Sequence, residues 1–483
     1  MKQTLHNLST LVVAAVAMLG GLDAARAQAT NDAPVPPRAS SSASVWYGVG
    51  GCVAANCHGG GALPGGEYTH WFNFDTSHRR AYAVLLEPRA KEMAAALGPT
   101  PAHEDRRCLA CHSMKTGAAD QELGPLFAVE YGVGCESCHG AAGAWVALHT
   151  QSIWKGQGGQ PSLTKEQKAA YGFRDTKDMA TRADSCVVCH VGSPNATVDH
   201  DLIAAGHPRL NFELAAYQAH EPHHWNDKRL RNGDPSLGIP GDKSYEARLW
   251  LIGQLKSAQA TVEVLAARAD EQSRKSVDNV TADFADYDCH ACHHDLADES
   301  WRRSPGHTGS SLGLPQFGTW YFSTARQVAS QARDIFGDEG GSANQSLGEV
   351  EDLFTQARLG GVSHTKLAPA ARKAAEDLKK LAEIARNHPL EPAQLRNLLT
   401  LVTSSPVDTL NWDEATQHYL AVAAIARSLA DHRGEDPDSL PRRSIDGFVQ
   451  RLRYPAGFDT PRGFTPAGLE TLFGTVRTTY LQN

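Results

Sequence analysis

The chain has 483 residues, ten cysteines and a formal net charge of −8 at pH 7. This negative charge argues against nucleic-acid binding, which usually requires a basic surface. A mildly acidic surface keeps a protein soluble and can also attract a basic protein partner. Ten cysteines allow disulfides, zinc sites, iron–sulfur clusters or covalent haem, and the spacing of the cysteines decides among these.

The first 27 residues have the pattern of a cleaved secretory signal peptide. Lys2 precedes an apolar stretch from Leu11 to Leu22, and small residues at 25 and 27 form a cleavage site. The stretch is short for a membrane span, and no later segment is apolar for long enough to cross a bilayer. We therefore expect a periplasmic protein without a transmembrane anchor. Residues 28–45, rich in Ala, Pro and Ser, are expected to form a disordered linker.

Five cysteine pairs, each followed directly by a histidine, lie between residues 52 and 293. Four of them read CxxCH, the signature of covalent c-type haem attachment. In a helical turn the cysteines at i and i+3 face the same way, and the histidine at i+4 lies beside them to bind iron. The cysteines are Cys52, Cys57, Cys108, Cys111, Cys135, Cys138, Cys186, Cys189, Cys289 and Cys292. The histidines are His58, His112, His139, His190 and His293.

The first pair differs because four residues separate Cys52 from Cys57. This spacing breaks the i, i+3 register, but Gly48, Gly50 and Gly51 permit a loop that brings Cys52 back to the haem. A disulfide between the two cysteines is the alternative at this place in an exported protein. Zinc is the alternative at the other motifs, although zinc sites do not require a histidine after each second cysteine. The spacing therefore predicts five covalently bound haem c groups.

Residues 46–305 are the predicted multihaem domain. Five attachment sites in this range leave little room for a conventional hydrophobic core, so we expect the porphyrins to form much of it among short helices and loops. Residues 246–269 within this range have helical periodicity and should form one long helix.

A cysteine-free helical domain is predicted for residues 306–433. Amphipathic segments at 366–388, 392–404 and 412–432 should pack as an antiparallel bundle, against the haem domain or as a dimer surface. The tail at 434–483 contains several Pro and Gly residues and is expected to be mostly loop. The predicted fold class is mainly α.

The ligand on the second face of each iron determines its chemistry. A second histidine closes the iron for electron transfer, whereas an open position admits a small molecule. We expect second ligands from histidines near a motif or in a Gly/Pro turn, namely His78, His103, His149 and His207. These four leave one iron without a second histidine. Reserve candidates are His70, His200, His220, His223, His224 and His307. The histidines of the cysteine-free helices, His364, His388, His418 and His432, are expected to be exposed.

Six segments carry a resemblance to a known family. In chain order they are SHRRAY, HEDRRCLACH, GVGCESCHGAAGAW, CVVCH, DLIAAGHPRLNFEL and DYDCHACHHDL. Their succession resembles the multihaem cytochromes of the c-552/c-554 type over roughly residues 46–300. The prototype is a tetrahaem carrier that accepts electrons from hydroxylamine oxidoreductase.

The resemblance implies a periplasmic protein with closely packed haem pairs and mostly bis-histidine ligation, using segments such as those around His78, His103, His149 and His207. The chain departs from the prototype by its fifth motif and its long helical C-terminal part, so the prototype's partner does not carry over. The related pentahaem nitrite reductases use a lysine as proximal ligand at the catalytic haem. All five motifs here end in histidine, which argues against that activity.

Three functions are compatible with the sequence. The favoured one is electron transfer between redox partner proteins through five haems. The alternative is an oxidoreductase that acts on a small nitrogen or sulfur compound, such as hydroxylamine, nitric oxide or nitrite, at one haem with an open axial position. A docking subunit, in which the C-terminal helices recruit partners or form a homo-oligomer, is the third.

Overall fold

The computed structural model describes residues 45–114, 122–157, 161–225, 232–233, 241–275, 279–280, 283–289, 292–293, 317–337, 341–357, 361–435, 442–453 and 464–481. The predicted signal peptide and nearly all of the predicted linker lie outside these residues. The described part is 64% helical and 3% strand, which confirms the mainly α fold class. None of its helices is long and apolar enough to cross a membrane. Residues from Ala43 onward form one compact unit.

Short helices dominate the part of the chain that carries the first four motifs. They are α1 (Glu67–Phe74), α2 (Thr76–Arg79), α3 (Pro88–Leu97), α4 (Arg106–His112), α5 (Cys135–His139), α6 (Ser152–Lys155), α7 (Lys165–Ala170), α8 (Met179–His190), α9 (His200–Ala204) and α10 (Leu214–His220). Several begin at a side-chain cap, as where the carboxylate of Asp178 accepts a hydrogen bond from the Thr181 backbone N–H at the start of α8.

Longer helices follow. They are α11 (Tyr245–Arg274), α12 (Thr319–Ser330), α13 (Ala332–Phe336), α14 (Ala343–Ala357), α15 (His364–Asn387), α16 (Pro392–Thr403), α17 (Trp412–Arg433), α18 (Arg442–Leu452) and α19 (Leu469–Leu481). Helix α17 begins with a reciprocal cap between Asn411 and Glu414 and ends at Gly434, whose φ of 72° suits glycine. The helices at 364–387, 392–403 and 412–433 lie within two residues of the predicted segments.

The four strands are two residues long each. They are β1 (Val45–Trp46), β2 (Glu122–Leu123), β3 (Asn279–Val280) and β4 (Val362–Ser363). β1 pairs in parallel with β2, and β3 pairs antiparallel with β4. These short pairings join distant parts of the chain without forming a larger sheet in the described residues.

Hydrophobic burial is concentrated around α11. One large cluster joins this helix to α8, to the start of α10 and to the helices after residue 317. The part of the chain before α8 instead holds three small clusters of three or four buried apolar residues each. The predicted boundary at residues 305 and 306 lies outside the described residues, and the large core extends across it in sequence. Helix α11 thus belongs to the same core as the C-terminal helices, because α8 and α10 pack against it together with the helices after residue 317.

The tail beyond residue 434 differs from the expected loop. It contains α18 and α19, whose apolar residues Phe448, Phe473 and Val476 are fully buried. The Pro and Gly residues that suggested a loop lie mostly between and before these helices. Because of these Pro and Gly residues, the sequence did not indicate the two amphipathic helices, which pack against α16 and α17.

Candidate metal centres

Three of the CxxCH motifs form the last turn of a helix. Helices α4, α5 and α8 end at His112, His139 and His190, respectively. The two cysteines of each motif are therefore one helical turn apart and face the same side, with the histidine next to them.

The first motif lies in turns, unlike these three. Around the first, the Cys57 and Gly59 backbone N–H groups both donate to the Ala54 carbonyl, at 2.8 and 3.0 Å. In the fifth, the His293 N–H donates to the Cys289 carbonyl at 2.8 Å, as in a helical turn. Cys52 and Cys57 are not joined by a disulfide in the structure. The Cys52 side chain lies beside Cys135 of the third motif.

Each motif histidine faces a second histidine from another part of the chain. The ring centroids are 6.2 Å apart for His58 and His149, 6.2 Å for His190 and His78, 6.3 Å for His112 and His207, 6.4 Å for His139 and His224, and 6.3 Å for His293 and His200. The angles between the ring planes range from 13° to 86°, but the five separations differ by only 0.2 Å. The same separation of ring centroids thus occurs at five places, although the backbone around each pair differs.

This separation fits a metal ion held between two imidazoles. A metal–imidazole nitrogen bond is about 2.0–2.1 Å long and the nitrogen lies about 1.1 Å from the ring centre, so two axial rings have centroids about 6.3 Å apart. The five pairs therefore have the spacing that a six-coordinate haem iron requires.

Hydrogen bonds fix the orientation of several of these rings. The Nδ1 atoms of His58 and His78 face the carboxylates of Glu67 and Asp75 at 2.9 and 2.7 Å. The Nδ1 atoms of three more rings face backbone carbonyls: those of His112, His207 and His149 face Ala81, Pro208 and Val146. A proton donated from Nδ1 leaves the Nε2 lone pair free for a metal, and such partners orient metal-ligating histidines.

A comparison with known protein families agrees with this geometry. Residues 53–140 match the family model of cytochrome c554 and c-prime. This match supports a c-type cytochrome of the c-552/c-554 kind. Cytochromes of this kind carry covalently bound haem c, act in electron transfer and are typically extracytoplasmic. The match includes the second and third motifs and ends before the fourth. No curated protein and no solved structure matches the chain.

Burial keeps most of the paired rings of this cytochrome neutral. It lowers the pKa of His190 and of His224 to about 4. It also lowers the pKa of His112, His139, His149 and His207. Neutral imidazole is the form that binds metal, so these rings are ready to act as ligands at neutral pH. Burial also opposes the charge of His78, but the hydrogen bond and charge of Asp75 outweigh burial and raise the pKa of His78.

The structure brings three of the four expected second ligands to a motif. His78, His149 and His207 face His190, His58 and His112. His103 requires a correction. Its Nε2 lies 3.5 Å from the Glu104 carboxylate, and all five motif histidines face other rings. His103 lies in the turn before α4.

His200 and His224 take the two remaining positions, although the sequence placed them only among the reserves. His200 begins α9, where the Asp199 carboxylate caps the helix, and lies seven residues before His207. Because of this spacing, one short segment places the rings of both His200 and His207 opposite motif histidines. His224 is in an HHW sequence that gave no indication of which histidine would face a motif. His290, His294 and His307 lie outside the described residues.

One expectation for the C-terminal helices is also corrected. His418 is 1% exposed rather than solvated, and its Nε2 lies 3.1 Å from the Gln327 side-chain nitrogen. Burial lowers the pKa of His418 to about 4. It faces no motif histidine in the described residues and is a core histidine.

The motifs of the cytochrome lie close together. Besides the Cys52–Cys135 contact, Cys111 of the second motif lies beside Cys189 of the fourth. The Ser185 hydroxyl donates to the Cys138 carbonyl at 3.3 Å, which connects the third and fourth motifs. The helix that carries His200 ends three residues before His207, so the second and fifth ring pairs also share a segment. Apart from the third and fourth motifs, motifs that are neighbours in space are therefore not neighbours in sequence.

A group of three side chains near the fourth ring pair could also hold a metal ion by itself. Ligand atoms of Asp75, His78 and Glu221 lie within 4.8 Å of one another. The His78 ring, however, faces His190, and its Nδ1 already faces Asp75. The Asp75 carboxylate is therefore better explained as the partner that orients the His78 ring.

Proposed function

We propose that this cytochrome is an electron carrier with five haem c groups, each held by two histidines. The observation that carries the proposal is the set of five histidine pairs with centroid separations of 6.2–6.4 Å. Each pair contains one motif histidine, so no motif is left without an opposing ring. A haem iron with histidine on both faces exchanges electrons without opening a position for a substrate.

The close packing of the motifs supports transfer of electrons within the molecule. Contacts join the first motif to the third, the third to the fourth and the fourth to the second, and the segment with His200 and His207 adds the fifth. In this order the two motifs at the ends are the first and fifth. Both expose an attachment cysteine, Cys57 and Cys292, while the other motif cysteines are half-buried. Redox partner proteins would exchange electrons at these two ends.

The N-terminal pattern supports export before haem attachment. In the proposed maturation the signal peptide is cleaved after Ala27, so the mature periplasmic protein begins at Gln28. N-terminal sequencing of the exported protein tests this step, and an intact N-terminus at Met1 in the haem-loaded protein would contradict it.

Carbon monoxide tests the function most simply, because it binds ferrous haem only at an open axial position. The intact mass of the purified protein should correspond to five haem groups, and its reduced absorption bands should not change under carbon monoxide. A change that corresponds to one haem in five would favour the alternative, an oxidoreductase that acts on a small nitrogen or sulfur compound. A mass with four haems would overturn the assignment of the first or fifth motif.

A further inference from the structure

The C-terminal helices contact both ends of α8, the helix that carries the fourth motif. At its start, the carboxylate of the capping residue Asp178 accepts a hydrogen bond from the Arg386 side chain of α15. At its end, the Tyr321 hydroxyl of α12 lies 3.3 Å from the carbonyl oxygen of His190. Between the two ends, Val187 is buried in the large core that includes the C-terminal helices. The fourth motif is therefore packed against a part of the chain that carries no attachment cysteine.

Two neighbouring aromatic residues at the start of α12 also bind the segment that follows His207. The Tyr321 hydroxyl donates to the Leu210 carbonyl at 2.6 Å. The Trp320 indole N–H donates to the Phe212 carbonyl at 2.9 Å, and Trp320 is 4% exposed. Backbone carbonyls shielded from water need such donors, so the two side chains fix the position of this segment.

This segment contains a ring that packs directly on the motif histidine. Phe212 stacks on the His190 ring with centroids 5.2 Å apart and an angle of 22° between the planes. Tyr217 contacts the same ring edge-on at 5.1 Å, while His78 faces it at 6.2 Å with an angle of 77°. The His190 ring cannot turn without moving Phe212, whose backbone is held by Trp320.

We infer that Trp320 and Tyr321 position the His190 ring and thereby set the reduction potential of the fourth haem. They act through Phe212 and the His190 backbone, so they are positioning residues. The inference rests on the proposed function and extends it, because it gives the helices after residue 317 a role at one particular haem. Both residues lie outside the segment that matches the family model.

Removal of the Tyr321 hydroxyl should lower this potential. Without its donor, the Leu210 carbonyl and the neighbouring His190 carbonyl turn to water, and water near the haem stabilises the oxidised, more positive form. The His190 ring also loses part of its support, so its angle to the His78 ring should change.

The first test is a redox titration of the haem-loaded Tyr321→Phe variant. The equilibrium constant for reduction of one haem should fall about threefold, which is about 28 mV for a one-electron couple. Electron paramagnetic resonance of the oxidised protein provides a second readout, because the signal of a haem with two histidines depends on the angle between the ring planes. The signal of one haem should move and the other four should not.

Tyr480→Phe is the matched control. It also removes a buried hydroxyl from a C-terminal helix, since Tyr480 is in α19 and is 1% exposed. Its ring packs under Arg433, away from the fourth motif. This variant should leave both the titration curve and the resonance spectrum unchanged, whatever it does to stability.

A double variant tests whether the two aromatic residues act on the same ring. Trp320→Phe removes the donor to the Phe212 carbonyl and should shift the potential in the same direction as Tyr321→Phe. Because both changes loosen the His190 ring, the double variant should shift less than the sum of the two single shifts. Shifts that add fully would contradict a common action on His190.

Carbon monoxide identifies the affected haem. In reduced His78→Ala the gas binds opposite His190, so adding Tyr321→Phe should change its dissociation rate at least about twofold. In reduced His224→Ala it binds opposite His139, and adding Tyr321→Phe should have no effect. An effect only in His224→Ala, or unchanged titration and resonance in Tyr321→Phe, would overturn the inference and leave the proposed function intact. Carbon monoxide binding by the unmutated protein would instead overturn the proposed function.

Discussion

At the scale of single residues, the paired histidines differ in what their Nδ1 atoms contact. His58 and His78 face carboxylates, whereas His112 and His207 face backbone carbonyls. A carboxylate partner makes imidazole a stronger electron donor and so favours the oxidised metal. The chain therefore has a means to set different potentials at haems with the same ligands.

Asp75→Asn should raise the potential of one haem in the cytochrome. Asparagine can still cap α2 but no longer strengthens His78 as a donor, so the equilibrium constant for reduction should rise about tenfold. Redox titration measures the shift. Glu87→Gln removes an exposed carboxylate paired with Arg80 nearby and serves as the control. Equal titration curves for Asp75→Asn and the unmutated protein would contradict the role of this carboxylate.

The buried His418 should make stability depend on pH. Its pKa is about 4 in the folded protein, against about 6.5 for an unfolded histidine, so the unfolded chain binds more protons between these values. The free energy of unfolding should therefore decrease as pH falls from 6.5 toward 4, by about 2 kcal/mol at pH 5 from this residue.

Urea unfolding of the unmutated protein and of His418→Gln at pH 7 and pH 5 measures this contribution. The variant should lose less stability than the unmutated protein between the two pH values. The same loss in both proteins would show that His418 is not the group that titrates.

At the scale of helices, the motif positions follow from local geometry and the second ligands do not. A CxxCH sequence in a helical turn places its own histidine, and α4, α5 and α8 all end at that histidine. The opposing rings come from distant segments, such as His224 opposite His139. Their identity depends on tertiary approach, so the sequence could indicate His78, His149 and His207 from nearby turns but misplaced His103 and undervalued His200.

The close packing of α11 against α10 gives a prediction for glycine. A Cβ at Gly253 would lie 2.6 Å from the Cβ of fully buried Leu214. Gly253→Ala should therefore lower the free energy of unfolding by about 1–2 kcal/mol, although alanine in a helix normally adds about 1 kcal/mol.

Gly474→Ala is the matched control in α19. A Cβ there meets only the end of the Arg477 side chain at 3.8 Å, so this variant should gain about 0.5–1 kcal/mol. Urea unfolding separates the two variants by sign. A stabilised Gly253→Ala would show that α10 can move away from α11 at little cost.

At the scale of the whole molecule, the chain combines two ways of building a core. The part of the haem-motif region before α8 has only small apolar clusters, while α8, the start of α10, α11 and the C-terminal helices share a large one. Periodicity predicted α11 and three later helices because each has a long apolar face. It did not predict α18 and α19, since short helices between Pro and Gly residues give a weak periodic signal.

The central claim, that each iron is held between a motif histidine and an opposing ring, is tested most directly by removing one ring. In reduced His224→Ala, carbon monoxide should bind one haem per chain, because only the iron at His139 is opened. Reduced His103→Ala, which lacks a haem-region histidine that faces no motif ring, should bind none. Binding of one equivalent by His103→Ala, or none by His224→Ala with all five haems present, would contradict the account.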